Sequence, residues 1–439
     1  MKRRNQPILI IGVLFFVFGF VTWLGSVLIP YLKIACQLNN FASYLVAFSF
    51  YISYTVMAIP AAAVLRRTGY KKGMALGLLI MAAGALLFIP AAGSRSYQTF
   101  LTGLFIQGTG LAILQTAANP YITILGPLDS AAKRISVMGI CNGIAGVLGP
   151  LIIGSVMLKD ADAIREKVLS LPAVQKTAVL EQLAHRVIMP YGLITLALIL
   201  LSIWVYFSGL PELAADPTQE GAEAGLVEEG STDRPGSHAT ARTHIFQFPH
   251  LLLGVLTLFL YVGVEVIAGD TIINYGASQG IPLSTAKFFT SCTLTSMLAG
   301  YLLGIVLIPK YLSQTTVLKI SAGMGLLFVF IALSTKGIVS VAFIALLGLA
   351  NSLVWPSIWP LAIKGLGRFT PIGSSLLIIA IGGGALLPLL YGWVADLSTP
   401  QHAYWIVVPC YCFIGYYAVS GHKSGQSTLS KISGYEAHS

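Results

Sequence analysis

The sequence predicts an all-α membrane protein with twelve transmembrane helices in two pseudo-symmetric six-helix bundles. Of its 439 residues, 56% are hydrophobic and only 10% are charged, which would leave a water-soluble protein short of polar surface. Apolar runs of roughly 20 residues, the length of a helix that crosses about 30 Å of hydrocarbon, recur along the whole chain. A polar segment divides these runs into six and six.

The predicted spans are separated by short polar joints or joints that contain Gly and Pro. They lie near residues 7–32, 41–65, 73–92, 97–125, 135–158, 188–209, 247–275, 285–308, 317–335, 338–363, 372–395 and 402–420. The first run is longer than the apolar core of a signal peptide and lacks a small-residue cleavage pattern, so we expect a retained span.

The basic residues predict the orientation in the membrane. The formal net charge is +10, but the Lys and Arg residues are spread over loops rather than gathered on one face, so we expect no nucleic-acid partner. Most of them fall on one side when both termini are cytoplasmic, as the positive-inside rule requires. We therefore expect a multi-pass protein of the inner (plasma) membrane.

A linker and an internal repeat define the expected domains. Residues 210–246 are rich in Gly, Ala, Pro and acidic residues and show no periodicity, which is typical of a flexible linker. A shift of 238 residues matches Gly146 with Gly384 and Pro150 with Pro388. The predicted domains are an N-terminal bundle at 1–209, this cytoplasmic linker, and a C-terminal bundle with a short tail at 247–439. Chance similarity between apolar segments is the alternative.

One polar segment interrupts the first bundle. Residues 159–187 carry Val and Leu at helix-like spacing, so we expect one or two short amphipathic helices on the outer face. They would form either a functional lid or a solvated connector.

Two carboxylates lie inside an otherwise uncharged span. Among the 16 acidic residues, only Glu265 and Asp270 are well inside a predicted span. A carboxylate at that depth costs several kcal/mol unless it faces water, binds a cation or carries a proton. Asp270 and Asn274 are four residues apart and share a helical face, so together they offer oxygen ligands of the kind that a sodium ion would take. The alternative is an acid held by polar groups on a neighbouring span.

Amides and tryptophans predict a site for a hydroxyl-rich substrate. Gln115 and Asn119 share a face of the fourth span, and Asn142 lies in the fifth. In the tenth span, Asn351, Trp355 and Trp359 follow at four-residue spacing. Amides hydrogen-bond hydroxyl groups and indole rings stack on the apolar face of a sugar, although such a stripe is often mere packing. The first spans of the two halves match at a shift of 242 residues, which aligns Trp23 with Glu265, so Trp23 joins this predicted substrate set.

No catalytic constellation is visible in the sequence, so we expect neither an enzyme nor a cofactor. All seven histidines lie in loops, tails or span ends, which leaves no intramembrane metal site built on His. There is also no Gly-rich phosphate loop, so any pumping must draw on an ion gradient rather than ATP.

These motifs resemble the major facilitator superfamily, and within it the glucose/galactose transporter branch of the fucose permease group. The stretches that carry the resemblance are `FGFVTWLGSVLIPYLK` (18–33), `LQTAANPYITILGP` (114–127), `NSLVWPSIW` (351–359), `IKGLG` (363–367) and `GSSLLIIAIGGGALLPLLYG` (373–392). The resemblance implies an alternating-access transporter. `RRTGYKKG` (66–73) is similar to the cytoplasmic gating loop of the superfamily, which assigns gating to Arg66, Arg67 and Lys71.

Two departures from the fucose permeases affect the expected coupling ion. Fucose permeases carry acids in the first and fourth spans, and the matching positions here are Ser26 and Gln115. The carboxylates of the seventh span would therefore supply the cation site. Glucose/galactose relatives are associated with sodium-dependent uptake, so sodium is the first expectation and a proton the second.

The resulting hypothesis is a cation-coupled symporter of a neutral hexose such as glucose, galactose, mannose or an N-acetylhexosamine. We expect it to act as a monomer. Three alternatives remain open: a proton-coupled symporter, an uncoupled sugar facilitator, and a sugar sensor that does not transport.

Overall fold

The computed structural model describes residues 6–124, 131–210, 244–308 and 311–425, and within these ranges it is helical without any strand. The first half contains α1 (Gln6–Thr22), α2 (Gly25–Ala35), α3 (Asn40–Met57), α4 (Pro60–Thr68), α5 (Tyr70–Leu86), α6 (Phe88–Ser94), α7 (Tyr97–Ile124), α8 (Ala131–Met157), α9 (Ala161–Ser170), α10 (Ala173–His185) and α11 (Ile188–Phe207). The second half contains α12 (Pro249–Asp270), α13 (Ile272–Ser278), α14 (Leu283–Ala286), α15 (Phe289–Leu307), α16 (Gln314–Ser334), α17 (Gly337–Asn351), α18 (Val354–Ile363), α19 (Thr370–Ile379), α20 (Gly383–Leu397), α21 (Pro400–Ala403) and α22 (Val407–Val419).

The number of membrane spans agrees with the prediction. Eleven helices of the described chain are long and apolar enough to cross a membrane. The bent pair Asn40–Met57 and Pro60–Thr68, with an angle of 61° between its two helices, makes a twelfth if it counts as one span. The predicted all-α membrane fold with two sets of six spans is confirmed in this form.

Several spans are broken near their middle, and nearby hydroxyl groups bind the carbonyls at these breaks. The first span breaks between α1 and α2, where the Ser26 hydroxyl donates to the Trp23 carbonyl at 2.7 Å. The seventh span breaks after Asp270, and the Thr290 hydroxyl donates to the Gly269 carbonyl at 2.8 Å. Such side-chain donors satisfy backbone groups that lipid cannot hydrogen-bond.

The two halves pack against each other mainly through α3 with α20 and α8 with α15. The Ser291 hydroxyl donates to the Val147 carbonyl at 2.9 Å, and the Thr55 hydroxyl donates to the Ile379 carbonyl at 3.3 Å. The end of the molecule where α2 ends and α3 begins is called the outer end below, and the end where α1 begins is called the inner end.

The segment 159–187 forms the two helices α9 and α10 at the outer end. The Tyr31 hydroxyl lies 2.6 Å from the Leu183 carbonyl and 2.9 Å from that of Ala184, which fixes α10 against α2. Asp162 at the start of α9 reaches the second half, where its carboxylate accepts hydrogen bonds from the backbone N–H groups of Leu283 at 2.8 Å and Ser284 at 3.0 Å. The segment is therefore packed against both halves of the molecule.

Most of the expected linker at 210–246, and the tail beyond residue 425, lie outside the described residues. The division into domains at 1–209 and 247–439 stays a prediction.

Candidate functional site

A cavity of about 660 Å³ lies between the two halves. Polar and aromatic side chains from both halves line it, namely Thr22, Trp23, Tyr51, Tyr54, Gln115, Asn142, Tyr261, Glu265, Tyr301 and Trp355. Its volume falls within the range of about 300–1,000 Å³ that is usual for small-molecule sites. Five residues that the sequence singled out, Trp23, Gln115, Asn142, Glu265 and Trp355, therefore share one cavity.

The cavity reaches the inner end of the molecule. Among its lining residues are Gly304, Ile305 and Ile308, at the end of α15. At the outer end, by contrast, the Asp396 carboxylate of α20 accepts hydrogen bonds from Asn40 and Phe41 of α3. The halves are thus joined at the outer end, while the cavity extends toward the inner end.

Trp23 lies at the break in the first span and fills the space between the halves. A Cβ atom added to Gly146 of α8 would lie 2.9 Å from the Trp23 ring, and one added to Gly269 of α12 would lie only 2.3 Å from it. Both glycines therefore let the indole approach the backbone, which places this ring at the wall of the cavity. The repeat relation between Trp23 and Glu265 corresponds to two residues that line the same cavity.

Two of the three amide residues predicted in the first half line the cavity. Gln115 of α7 and Asn142 of α8 are both partly buried and line the cavity. Asn119 lies in the same helix as Gln115, but its side chain is outside the described residues. Neutral amides on two facing helices can donate to and accept from the hydroxyl groups of one bound molecule.

Glu265 supplies the one carboxylate among the described residues that line the cavity. Its side chain forms a hydrogen bond with Tyr261, one turn earlier in α12. Tyr51, Tyr54 and Tyr301 line the same cavity and bring further hydroxyl groups. Sequence analysis did not select these tyrosines, although Tyr51 and Tyr54 are three residues apart and so lie on one face of α3.

Asn351, Trp355 and Trp359 were predicted to lie on one face of a single helix, but a helix break separates Asn351 from the two tryptophans. α17 ends at Asn351 and α18 begins at Val354, so four-residue spacing across this break does not place the side chains on one face. Asn351 is 1% exposed, and its side-chain carbonyl accepts a hydrogen bond from the Tyr411 hydroxyl at 2.7 Å.

Only Trp355 of that stripe lines the cavity. Trp359 stacks on the Trp355 ring, with 5.6 Å between ring centroids and 22° between ring planes. Trp359 therefore supports the aromatic wall from behind rather than facing the cavity, and Asn351 belongs to the packing of the second half.

The two acids of the seventh span face different spaces. Asp270 lines a separate chamber of about 10 Å³ together with Thr22, Tyr51, Gln107 and Tyr191. The difference in direction follows from the helix, because five residues correspond to a rotation of about 140°. Asn274 does not line this chamber, and its side chain interacts with Tyr44 instead. A joint cation site of Asp270 and Asn274 stays a prediction.

The residues expected to gate lie at the inner end. Arg66 and Arg67 are exposed in the last turn of α4. The Lys71 ammonium donates to the Ser208 carbonyl at the end of α11 at 2.7 Å, so it ties the loop to the first half. Their role in gating stays a prediction.

Comparison with known proteins identifies the family. The model of the Major Facilitator Superfamily matches residues 11–377. A glucose/galactose transporter of Brucella abortus biovar 1 (strain 9-941) is 33% identical over 426 residues, which cover 96% of each chain. The chain belongs to the Major Facilitator Superfamily. This membership confirms the family and the fold that the sequence motifs implied, and it makes the protein a membrane transporter rather than an enzyme.

Relatives within the superfamily include the fucose permeases. The L-fucose-proton symporter of Escherichia coli (strain K12) is 28% identical over 430 residues, covering 96% of this chain and 94% of the relative. The crystal structure of FucP in the outward conformation matches with a TM-score of 0.66 and 27% identity, covering 94% of this chain and 98% of that one.

Proposed function

We propose that this major facilitator protein is a proton-coupled symporter that carries a neutral hexose into the cell. One observation carries the proposal: a single cavity between the halves combines two neutral amides, two tryptophans and one carboxylate. Amides and indoles suit a sugar, whereas the carboxylate suits a proton.

The lining of the cavity favours an uncharged substrate. Among its described residues there is no Lys, Arg or His, so nothing there would neutralise an anionic ligand. Gln115 and Asn142 offer hydrogen bonds to hydroxyl groups, and Trp23 and Trp355 offer apolar ring faces. Relatives named for glucose and galactose make these two hexoses the first candidates. Mannose and N-acetylhexosamines carry the same hydroxyl chemistry.

The proposed coupling residue is Glu265. It lies in the cavity wall, so a proton on its carboxyl group would be exposed to the same space as the sugar. The relatives that are named as symporters are proton symporters. Sodium, the first expectation from the sequence, depended on Asp270 and Asn274 acting together, and Asn274 is not among the residues that line the Asp270 chamber.

The proposed orientation follows from the basic loops. With both termini cytoplasmic, the inner end faces the cytoplasm of a cell whose inner membrane holds the protein. The cavity would then be open toward the cytoplasm, and alternating access would separate the halves at the outer end. Because one chain encloses the whole cavity, a monomer suffices for transport.

Purified protein in liposomes tests the proposal. Counterflow of labelled glucose or galactose would separate a carrier from a sensor, and an imposed proton or sodium gradient would separate the coupling modes. We expect a proton gradient to drive accumulation, and Glu265→Gln to abolish accumulation while exchange of sugar continues. Accumulation that follows sodium alone, or accumulation that Glu265→Gln leaves intact, would contradict the coupling proposal. Absence of counterflow with every hexose would contradict the transport proposal itself.

A further inference from the structure

The chamber at Asp270 contains polar atoms that the rest of the protein leaves unpaired. Both carboxylate oxygens of Asp270, the side-chain nitrogen of Gln107 and the hydroxyl oxygens of Tyr51 and Tyr191 are buried without a hydrogen-bond partner. All four residues line the same space of about 10 Å³. Buried polar groups normally have partners, so four such residues around one space indicate a ligand.

The size and chemistry of the chamber fit a single water molecule and a proton. A volume of about 10 Å³ is close to the minimum that holds one water. Gln107 and the tyrosines can donate hydrogen bonds, and Asp270 can accept them, so one water can join them. An ionised carboxylate at this depth would cost several kcal/mol without such partners or a neutralising charge.

The groups around Asp270 do not provide that neutralising charge. Among the described residues that line the chamber there is no Lys, Arg or His and no second acid. The titratable side chains near Asp270 are Tyr51 and Tyr191 in the lining and Tyr44 behind it, all from the first half. Glu265 lies on the same helix but lines the main cavity. A proton on Asp270 itself is therefore the simplest way to remove the buried charge.

The chamber also lies where the two halves meet. A Cβ atom added to Gly25 of the first half would lie 3.3 Å from an Asp270 carboxylate oxygen. Thr22 and Tyr51 line both the chamber and the main cavity, so they form the partition between the two spaces. All the residues that line the chamber except Asp270 belong to the first half. Asp270 therefore closes the chamber from the second half, and separation of the halves at the outer end would withdraw it.

We propose that the Asp270 chamber is a proton site that permits the outer end to close. With the outer end open, the ionised carboxylate is hydrated. A hydronium ion then transfers one proton to a carboxylate oxygen and leaves as water, after which the neutral acid is enclosed with one water between Asp270, Gln107 and Tyr51. The proton leaves later, when Thr22 and Tyr51 move apart and water from the main cavity hydrates the carboxylate, before the outer ends separate again.

This role rests on the proposed proton symport but is separate from that of Glu265, which faces the sugar. Asp270 would determine whether the outer end closes, and Glu265 would link the proton to the substrate. The two roles can be measured apart, because closure of the outer end needs no sugar gradient.

Spin labels across the outer end test the proposal. Gln98 at the start of α7 and Lys336 before α17 are exposed at the outer ends of opposite halves. Both would be changed to Cys in a variant whose five native cysteines are replaced and whose counterflow is retained. We expect the population with the short distance to grow as the pH falls, and we expect Asp270→Asn to show that population at every pH.

Two further variants make the result specific. Gln107→Leu removes a donor that supports the ionised acid, so closure should move to higher pH. Glu265→Gln should keep the pH dependence of closure, because its carboxyl group lies outside the chamber. A thermal unfolding transition and a size-exclusion profile like those of the parent protein show that Asp270→Asn is folded.

Three results would overturn the proposal. The first is that closure of the parent protein does not depend on pH. The second is that closure of Asp270→Asn depends on pH as it does in the parent. The third is that closure at fixed pH follows the sodium concentration. If closure behaves as expected but a proton gradient drives no uptake, the proposed symport fails while the chamber assignment stands. If proton-driven uptake is intact and Asp270→Asn changes neither uptake nor closure, only the chamber assignment fails.

Discussion

The Asp396 carboxylate in α20 accepts hydrogen bonds from both the backbone N–H of Asn40, at 2.9 Å, and its side-chain amide, at 2.8 Å. Its other oxygen accepts from the N–H of Phe41 at 2.8 Å. A carboxylate of the second half thus binds the first turn of α3 in the first half, where the helix dipole favours negative charge. Asp162 makes the reverse contact, from the first half to the start of α14.

The first prediction concerns this pair of contacts. Asp396→Ala should favour the open outer end by about 1–2 kcal/mol, because backbone donors lose a charged acceptor but can reach water. That energy corresponds to a shift of roughly 5- to 30-fold in the ratio of open to closed molecules. The distance between labels at Gln98 and Lys336 measures this ratio. Glu181→Ala is the matched control, since Glu181 is an exposed carboxylate of α10, also at the outer end.

An unchanged ratio in Asp396→Ala would show that the contact adds nothing to closure. A similar change in both variants would point to a general effect of surface charge. Asp162→Ala should act in the same direction as Asp396→Ala, because it releases the other contact between the halves.

The sequence predicted the spans and several residues that line the cavity. It did not predict the helix breaks or the contacts between distant residues, for physical reasons. Hydropathy locates spans well because lipid imposes a minimum apolar length. Trp23, Gln115, Asn142 and Glu265 were found because a polar or bulky group within a span has few structural explanations.

The misses have equally physical causes. The break between Asn351 and Val354 was missed because local breaks in a span cannot be read from helical spacing, and a role of Asn351 in substrate binding stays a prediction. Asp396 was set aside as a residue at a span end, since the contact with Asn40 joins positions more than 350 residues apart. Gln107 lies in an apolar stretch of α7, and only the fold brings it to Asp270.

The second prediction concerns the amide of Gln115. If it binds a sugar hydroxyl in the cavity, Gln115→Ala should weaken sugar affinity by about 1–3 kcal/mol, because a buried partner is left unpaired. The half-saturating sugar concentration for counterflow measures the loss. Gln98→Ala, in the same helix but exposed at its outer end, provides the control. Unchanged affinity in Gln115→Ala would remove this residue from the proposed site.

The third prediction separates stacking from packing at the aromatic wall. Trp355 lines the cavity, so Trp355→Phe should retain more sugar affinity than Trp355→Ala if an aromatic face contacts the sugar. Trp359→Phe should have the smaller effect of the two Phe variants, because Trp359 only supports the Trp355 ring. Equilibrium binding of sugar to the purified protein gives the comparison. Equal losses in both Trp355 variants would indicate a role other than stacking.

The last prediction tests the position of Trp23 between the halves. A Cβ at Gly269 would lie 2.3 Å from the Trp23 ring, which is closer than atoms can approach, so Gly269→Ala must displace the indole. Because this ring also lines the cavity, the variant should lose both thermal stability and sugar affinity. Overpacking of this kind costs typically about 1–3 kcal/mol. Gly323→Ala is the control, since a Cβ there meets nothing within 4 Å and Ala favours the helix. Thermal unfolding in detergent and sugar binding would be measured on both variants. If Gly269→Ala behaves like Gly323→Ala in both measurements, Trp23 is free to move, and its place in the proposed sugar site fails.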